Sequence, residues 1–104
     1  MTFGAWQPLP SATPPRKPGL LQARVPELVS YPTGKSAMVY YDGDDDLSQA
    51  FARLCARVPP GADVLVRFAE CRAPAAELVR KLEDFTRRFG AAPEWNGPPP
   101  PDQL

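Results

Sequence analysis

Histidine is absent from this chain of 104 residues. That removes Ser–His and Cys–His nucleophile pairs, histidine zinc sites and histidine general bases, so any catalysis must use Tyr, Glu, Asp, Arg or Lys. Three stretches carry such residues at suggestive spacing. Gly34-Lys35-Ser36 looks like the end of a phosphate-binding loop. That motif needs another glycine where Val29 stands, and a helix must follow, whereas a strand follows here. Asp42-Gly43-Asp44-Asp45-Asp46 looks like a calcium loop. Its closing bidentate glutamate would fall on Arg53, so a capped helix start is the better reading. The third stretch runs from Phe85 to Asn96. It reads as the last turns of a helix, a glycine stop at Gly90, and a short arm, Pro93-Glu94-Trp95-Asn96, that returns one indole and one amide to the body of the fold. A polar arm set at a fixed point behind a helix can complete a site.

The elements that must position these groups follow from periodicity. Leu20 to Val25 predicts a first strand, rebuilt at Leu28 to Tyr31 after Pro26, where a bulge or an edge is expected. Pro32-Thr33-Gly34-Lys35 is turn chemistry, and Ala37 to Tyr41 is rich in β formers, so the pair reads as an antiparallel hairpin. Asp44, Asp45 and Asp46 open a helix by capping free N–H groups at its positive end. Leu47, Phe51, Leu54 and Val58 recur at helical spacing, and Pro59-Pro60-Gly61 stops that helix. Val64 to Phe68 is a third strand. Pro74 suits the first turn of a second helix, whose stripe is Leu78, Leu82, Phe85 and Phe89. The expected fold is α+β: a small three-stranded, mainly antiparallel sheet flanked by helices, in the order β-β-α-β-α.

Length predicts one domain. The 15 prolines cluster at the ends, dividing the chain into a proline-rich leader (1–18), a folded domain (19–97) and a proline-rich tail (98–104) expected to be disordered. Twelve basic side chains balance twelve acidic ones, so no global positive field announces a nucleic-acid partner. No apolar run reaches the length of a membrane span and no charged start precedes an apolar stretch, so the expectation is a soluble, cytoplasmic chain with no membrane partner. Cys55, on an apolar helical stripe, and Cys71, after a strand, read as reduced, partly buried thiols.

Taken in order, several short motifs add up. They are the leader Trp6-Gln7-Pro8-Leu9, the entry Pro18-Gly19, the strand opening Gly19-Leu20-Leu21, the strand ending Tyr40-Tyr41-Asp42, and the helix opening Asp46-Leu47. Val64 to Phe68, the helix bearing Glu77, and the close Pro93-Glu94-Trp95-Asn96 complete the series. From Trp6 to Asn96 the chain resembles the GIY-YIG nuclease family. The resemblance implies cleavage of a DNA phosphodiester with Mg²⁺ or Mn²⁺. Strand tyrosines would help activate water, a helix arginine would stabilise phosphate charge, a glutamate would hold the metal, and an asparagine would shape the site. Carried over, Tyr40 matches the second-motif tyrosine, Glu77 the metal-binding glutamate with an offset of about one residue, and Asn96 the asparagine. Departures accompany these matches. Leu21 stands for the first tyrosine, and Asp42 falls on the second-motif glycine. Gln49 or Ala50 falls on the helix arginine, for which Arg53, almost a turn further on, is the substitute. Acidic residues 42 and 44–46 would also repel a phosphate backbone.

Each of these residues has a plain structural reading too. Tyr40 fits a half-buried strand position, Glu77 a first-turn helix carboxylate, Trp95 a core plug, and Asn96 a turn. Three functions follow. The first is a divergent GIY-YIG-like domain with weakened or lost catalysis, acting as a nucleic-acid-associated binding or regulatory module. The second is an active divalent-metal-dependent endonuclease using Tyr40, Arg53, Glu77 and Asn96, with Glu77 on the metal. The third is a small protein-interaction domain whose proline-rich ends meet a partner. Whether the chain is an enzyme is left open by its incomplete motif.

Overall fold

Strand-forming residues between Gly19 and Asp44 build one long hairpin, β2 (Gly19–Tyr31) against β3 (Gly34–Asp44), in this computed structural model, which describes residues 1–97. Its register slips between Ala23 and Arg24 and again between Arg24 and Val29, on either side of the non-donating Pro26. Strand β4 (Leu65–Glu70) pairs antiparallel with β2 on the side away from β3. Three strands were expected, but the sheet has four. Gln7–Pro8 (β1) pairs antiparallel with β4, giving the order β1-β4-β2-β3 and an entirely antiparallel sheet. The leader follows the free edge of β4 because that edge has unpaired backbone groups to offer: Gly4 N–H donates to the Phe68 carbonyl and Leu9 N–H to that of Val64, both at 2.9 Å. The proline-rich tail lies outside the described residues.

Helix α1 (Leu47–Arg57) lays Leu47, Ala50 and Leu54 on one sheet face, where they meet Leu21, Ala23, Val39, Tyr40, Val66 and Phe68. Phe51 and Val58 lie at the margin of that core. Only Asp46 caps the helix, accepting from Ser48 N–H at 3.0 Å; Asp44 belongs to the end of β3. Cys55 is exposed rather than partly buried, because it falls one residue past Leu54 on the solvent side; Cys71 is partly buried, and both thiols are free.

Helix α2 (Pro74–Phe89) packs on β3 and β2 from the opposite face, and Phe85 is its deepest large side chain. The helix ends as expected at Gly90, whose φ of 81° suits a residue without Cβ. The hairpin tip helps close that end: Thr33 donates through its N–H to the Phe89 carbonyl and through its hydroxyl to that of Arg88. A short 3-10 turn, Glu94–Asn96, brings the terminal arm back to β3. No helix among the described residues is long and apolar enough to cross a membrane.

Candidate functional site

Neighbouring tyrosines on β3 serve opposite faces of the sheet, as strand alternation requires. Tyr40 points to α1 and is buried in the core formed with Leu47 and Leu54, while Tyr41 points to α2 and meets Phe85 edge-on at 5.8 Å. Two residues beyond Tyr40, Asp42 returns to the α1 face. Its carboxylate is nearly buried, and it gathers the site. It accepts a hydrogen bond from the Tyr40 hydroxyl at 2.9 Å and two from Arg53, through Nε at 2.8 Å and through a terminal nitrogen at 3.3 Å. That terminal nitrogen of Arg53 also donates to the Gly43 carbonyl and to Asp44 at 2.9 Å. One arginine is thus held by two carboxylates and a carbonyl.

The electrostatics follow from this geometry. Burial, and then the Asp42 charge, push the Tyr40 hydroxyl well above the ordinary tyrosine range. The hydrogen bond to Asp42 holds Arg53 more firmly protonated than in water. Asp44 is held below the usual carboxylate range by the backbone N–H of Asp46 first and then by Arg53. Tyr40 is therefore a hydrogen-bond donor that keeps its proton, which does not suit a general base.

Asn96 lies beside this group. Its amide closes two hydrogen bonds with the backbone of Tyr41, accepting from N–H at 2.9 Å and donating to C=O at 2.7 Å. The side chain thereby acts as a one-residue partner strand on the sheet's β3 edge. Arg57 ties the same arm to α1, donating to the carbonyls of Trp95 and Gly97, and its guanidinium lies 5.9 Å from the Tyr40 ring centroid. Trp95 packs against the core, in keeping with its reading as a plug.

Glu77 stands apart. It is on α2, which packs on the other face of the sheet, and its carboxylate pairs with Arg80 at 3.4 Å. The fold thus collects Tyr40, Arg53 and Asn96 around one end of β3 and keeps Glu77 away from them. Among the described residues no three carboxylates or thiols converge where a cation could be held, so the side chains present do not fit a Mg²⁺ or Mn²⁺ centre built on Glu77. Sequence reasoning named Tyr40 and Arg53 but missed the residue that joins them, Asp42, and the one that anchors the arm, Arg57. The available signal was a carboxylate at a strand end, eleven positions before an arginine.

The chain matches no family model, no curated protein and no solved structure. The site is therefore read from its own chemistry.

A spectroscopic titration examines that chemistry directly. Tyr31, Tyr40 and Tyr41 are all raised above the ordinary value of 10.0, with burial the first cause for each. A group whose folded value is raised contributes stability that is intact below the unfolded value and lost as pH climbs through the folded one. Tyrosinate absorbance is therefore expected to appear together with alkaline unfolding, at a pH above 10.0. A tyrosine ionising below that pH in the folded protein would contradict the geometry and restore Tyr40 as a base.

Proposed function

We propose that this chain is a divergent GIY-YIG-like domain whose catalytic apparatus has been closed, and that it serves as a nucleic-acid-associated binding or regulatory module. The observation that carries this reading is the Asp42 carboxylate. It stands where the resemblance expects a glycine, and it accepts hydrogen bonds from both groups that would act on a phosphodiester, the Tyr40 hydroxyl and the Arg53 guanidinium. A guanidinium already neutralised by Asp42 and Asp44 has little left to offer a developing phosphate charge. Loss of one such stabiliser costs roughly 100- to 1000-fold in rate. Here the tyrosine's proton is held as well, and Glu77 is paired elsewhere.

The test is a cleavage assay on plasmid and branched DNA with Mg²⁺ or Mn²⁺, run beside a gel shift. No nicking above background is expected, together with a retarded band that weakens as salt is added. Metal-dependent nicking that vanishes in Glu77→Ala would overturn the proposal.

A further inference from the structure

Helix α1 covers one face of the sheet, and α2 covers the β3 side of the other through Phe85 on Tyr31 and Tyr41. The rest of that second face, over β2 and β4, carries Gln22, Arg24 and Arg67, brought together by the register Gln22↔Arg67 and Arg24↔Leu65. The leader lays Phe3 and Trp6 beside them. The Arg24 guanidinium lies 4.3 Å from the Trp6 ring centroid, and that of Arg67 lies 4.4 Å from the same ring and 4.8 Å from Phe3. A single indole therefore separates two cations.

Charge on this face is unbalanced. Arg67 Nε donates to the buried Gln22 amide oxygen at 2.7 Å, which leaves both of its terminal nitrogens without a protein acceptor among the described residues. Neither Arg24 nor Arg67 has a carboxylate within salt-bridge distance among the described residues, although the chain has as many acids as bases. Anchoring the leader explains one stacked arginine, since cation–π contact stabilises by about 0.5–2 kcal/mol. It does not explain a second cation on the same ring with no counterion. The two charges repel, and burial followed by the Arg24 charge lowers the proton affinity of Arg67. An anion between them would relieve that repulsion.

Resting on the binding role proposed above, we infer that the face bearing Arg24, Arg67, Trp6 and Phe3 takes a single nucleic-acid strand, with a phosphate between the guanidiniums and bases stacked on the rings and guanidinium planes. Planar cations interleaved with aromatic rings suit unpaired bases, whereas a duplex keeps its base faces hidden. A membrane is the poorer match, because the large exposed apolar side chains Leu28 and Val79 lie on the hairpin and on α2, away from this patch.

The experiment is fluorescence anisotropy of labelled oligothymidylate at low salt with the whole chain. Binding is expected, and Arg24→Gln with Arg67→Gln should weaken it by about 5- to 150-fold per stacked base lost. The slope of log K against log salt should fall by about 1.4 for two lost phosphate contacts. Lys35→Gln with Arg87→Gln removes the same charge elsewhere and should change affinity far less. Should the glutamine pair fail to fold, Arg24→Lys with Arg67→Lys retains charge without a stacking plane; it should keep the salt slope and lose affinity. In Trp95→Phe, Trp6 is the remaining indole, and its emission should quench as the strand binds. Undiminished binding by the glutamine pair, an unchanged Trp6 signal during binding, or binding of phosphatidylserine vesicles in place of the strand would each overturn the site. Nuclease activity would remove the closed-site reading while leaving this surface standing, provided the glutamine pair still lost binding. No binding to any nucleic acid would remove both.

Discussion

Truncating Phe85 to alanine is expected to cost about 3–5 kcal/mol, the largest loss from any single side chain of α2. The ring is 5% exposed and is the only large side chain that the helix buries fully. It meets Tyr31 at 5.0 Å and Tyr41 at 5.8 Å, both edge-on, and Phe89 at 4.5 Å. Such aromatic pairs add about 0.5–1.5 kcal/mol beyond the area they bury. The cavity left by alanine would open between a helix and a long hairpin, neither of which can collapse into it without breaking the Thr33 contacts at the helix end. A domain of this size has about 5–15 kcal/mol in total, so urea denaturation should show a midpoint shifted by a large fraction of its wild-type value. Phe89→Ala, at a half-buried position, should cost much less. A Phe85→Ala domain within about 1 kcal/mol of wild type would mean that α2 is docked by something else.

The second large effect is expected at Gly19. A Cβ there would sit 2.2 Å from the Ala69 carbonyl oxygen and 2.8 Å from a methyl of Leu47. The first of these neighbours is backbone in the adjacent strand β4, and the second belongs to a side chain with no exposed surface. Neither can give way cheaply, so Gly19→Ala must push β4 from β2 or lift α1 off the sheet. Overpacking ordinarily costs about 1–3 kcal/mol, and this site belongs at or above the upper end. Thermal melting followed by circular dichroism would record it, and near-native melting of Gly19→Ala would show that the strands are not so closely set. The requirement comes from close approach, not from backbone angle: this glycine is the one that opens the motif Gly19-Leu20-Leu21.

How much of this could be read beforehand depends on the range of each interaction. The α1 stripe was legible because Leu47 and Leu54 recur at helical spacing, and the α2 stop because Gly90 follows the last periodic residue. The bulge near Pro26 was legible because proline cannot join a ladder. Strand β1 was not: a two-residue strand containing Pro8 has no pattern of its own, and it exists because β4 presents a free edge. The faces of Tyr40 and Tyr41 were equally hidden. In β3 the register shift places Ala23 opposite Tyr40 and Arg24 opposite Met38, so simple alternation cannot be counted through Val39.

The candidate site divides in the same way. Tyr40, Arg53 and Asn96 were named from the resemblance, and all three stand near the end of β3, but the bond network that sets their roles runs through Asp42. A carboxylate at a strand end reads equally well as a cap or a turn, and only the approach of α1 turns it into the partner of two functional groups. Glu77 shows the converse: a first-turn glutamate is easy to see in a sequence, yet the side of the sheet its helix occupies is a tertiary fact.

Local order was written in the chain: two amphipathic helices, a β-hairpin, their stops, and a chemistry without imidazole. Hydrophobic spacing, glycine and proline act over a few residues and need no distant partner. The fold alone decided that Asp42 binds Tyr40 and Arg53, that Glu77 is kept apart, and that Arg24 and Arg67 share one indole. Each of those depends on strand register and on which face a helix covers, and neither can be counted off along a single strand.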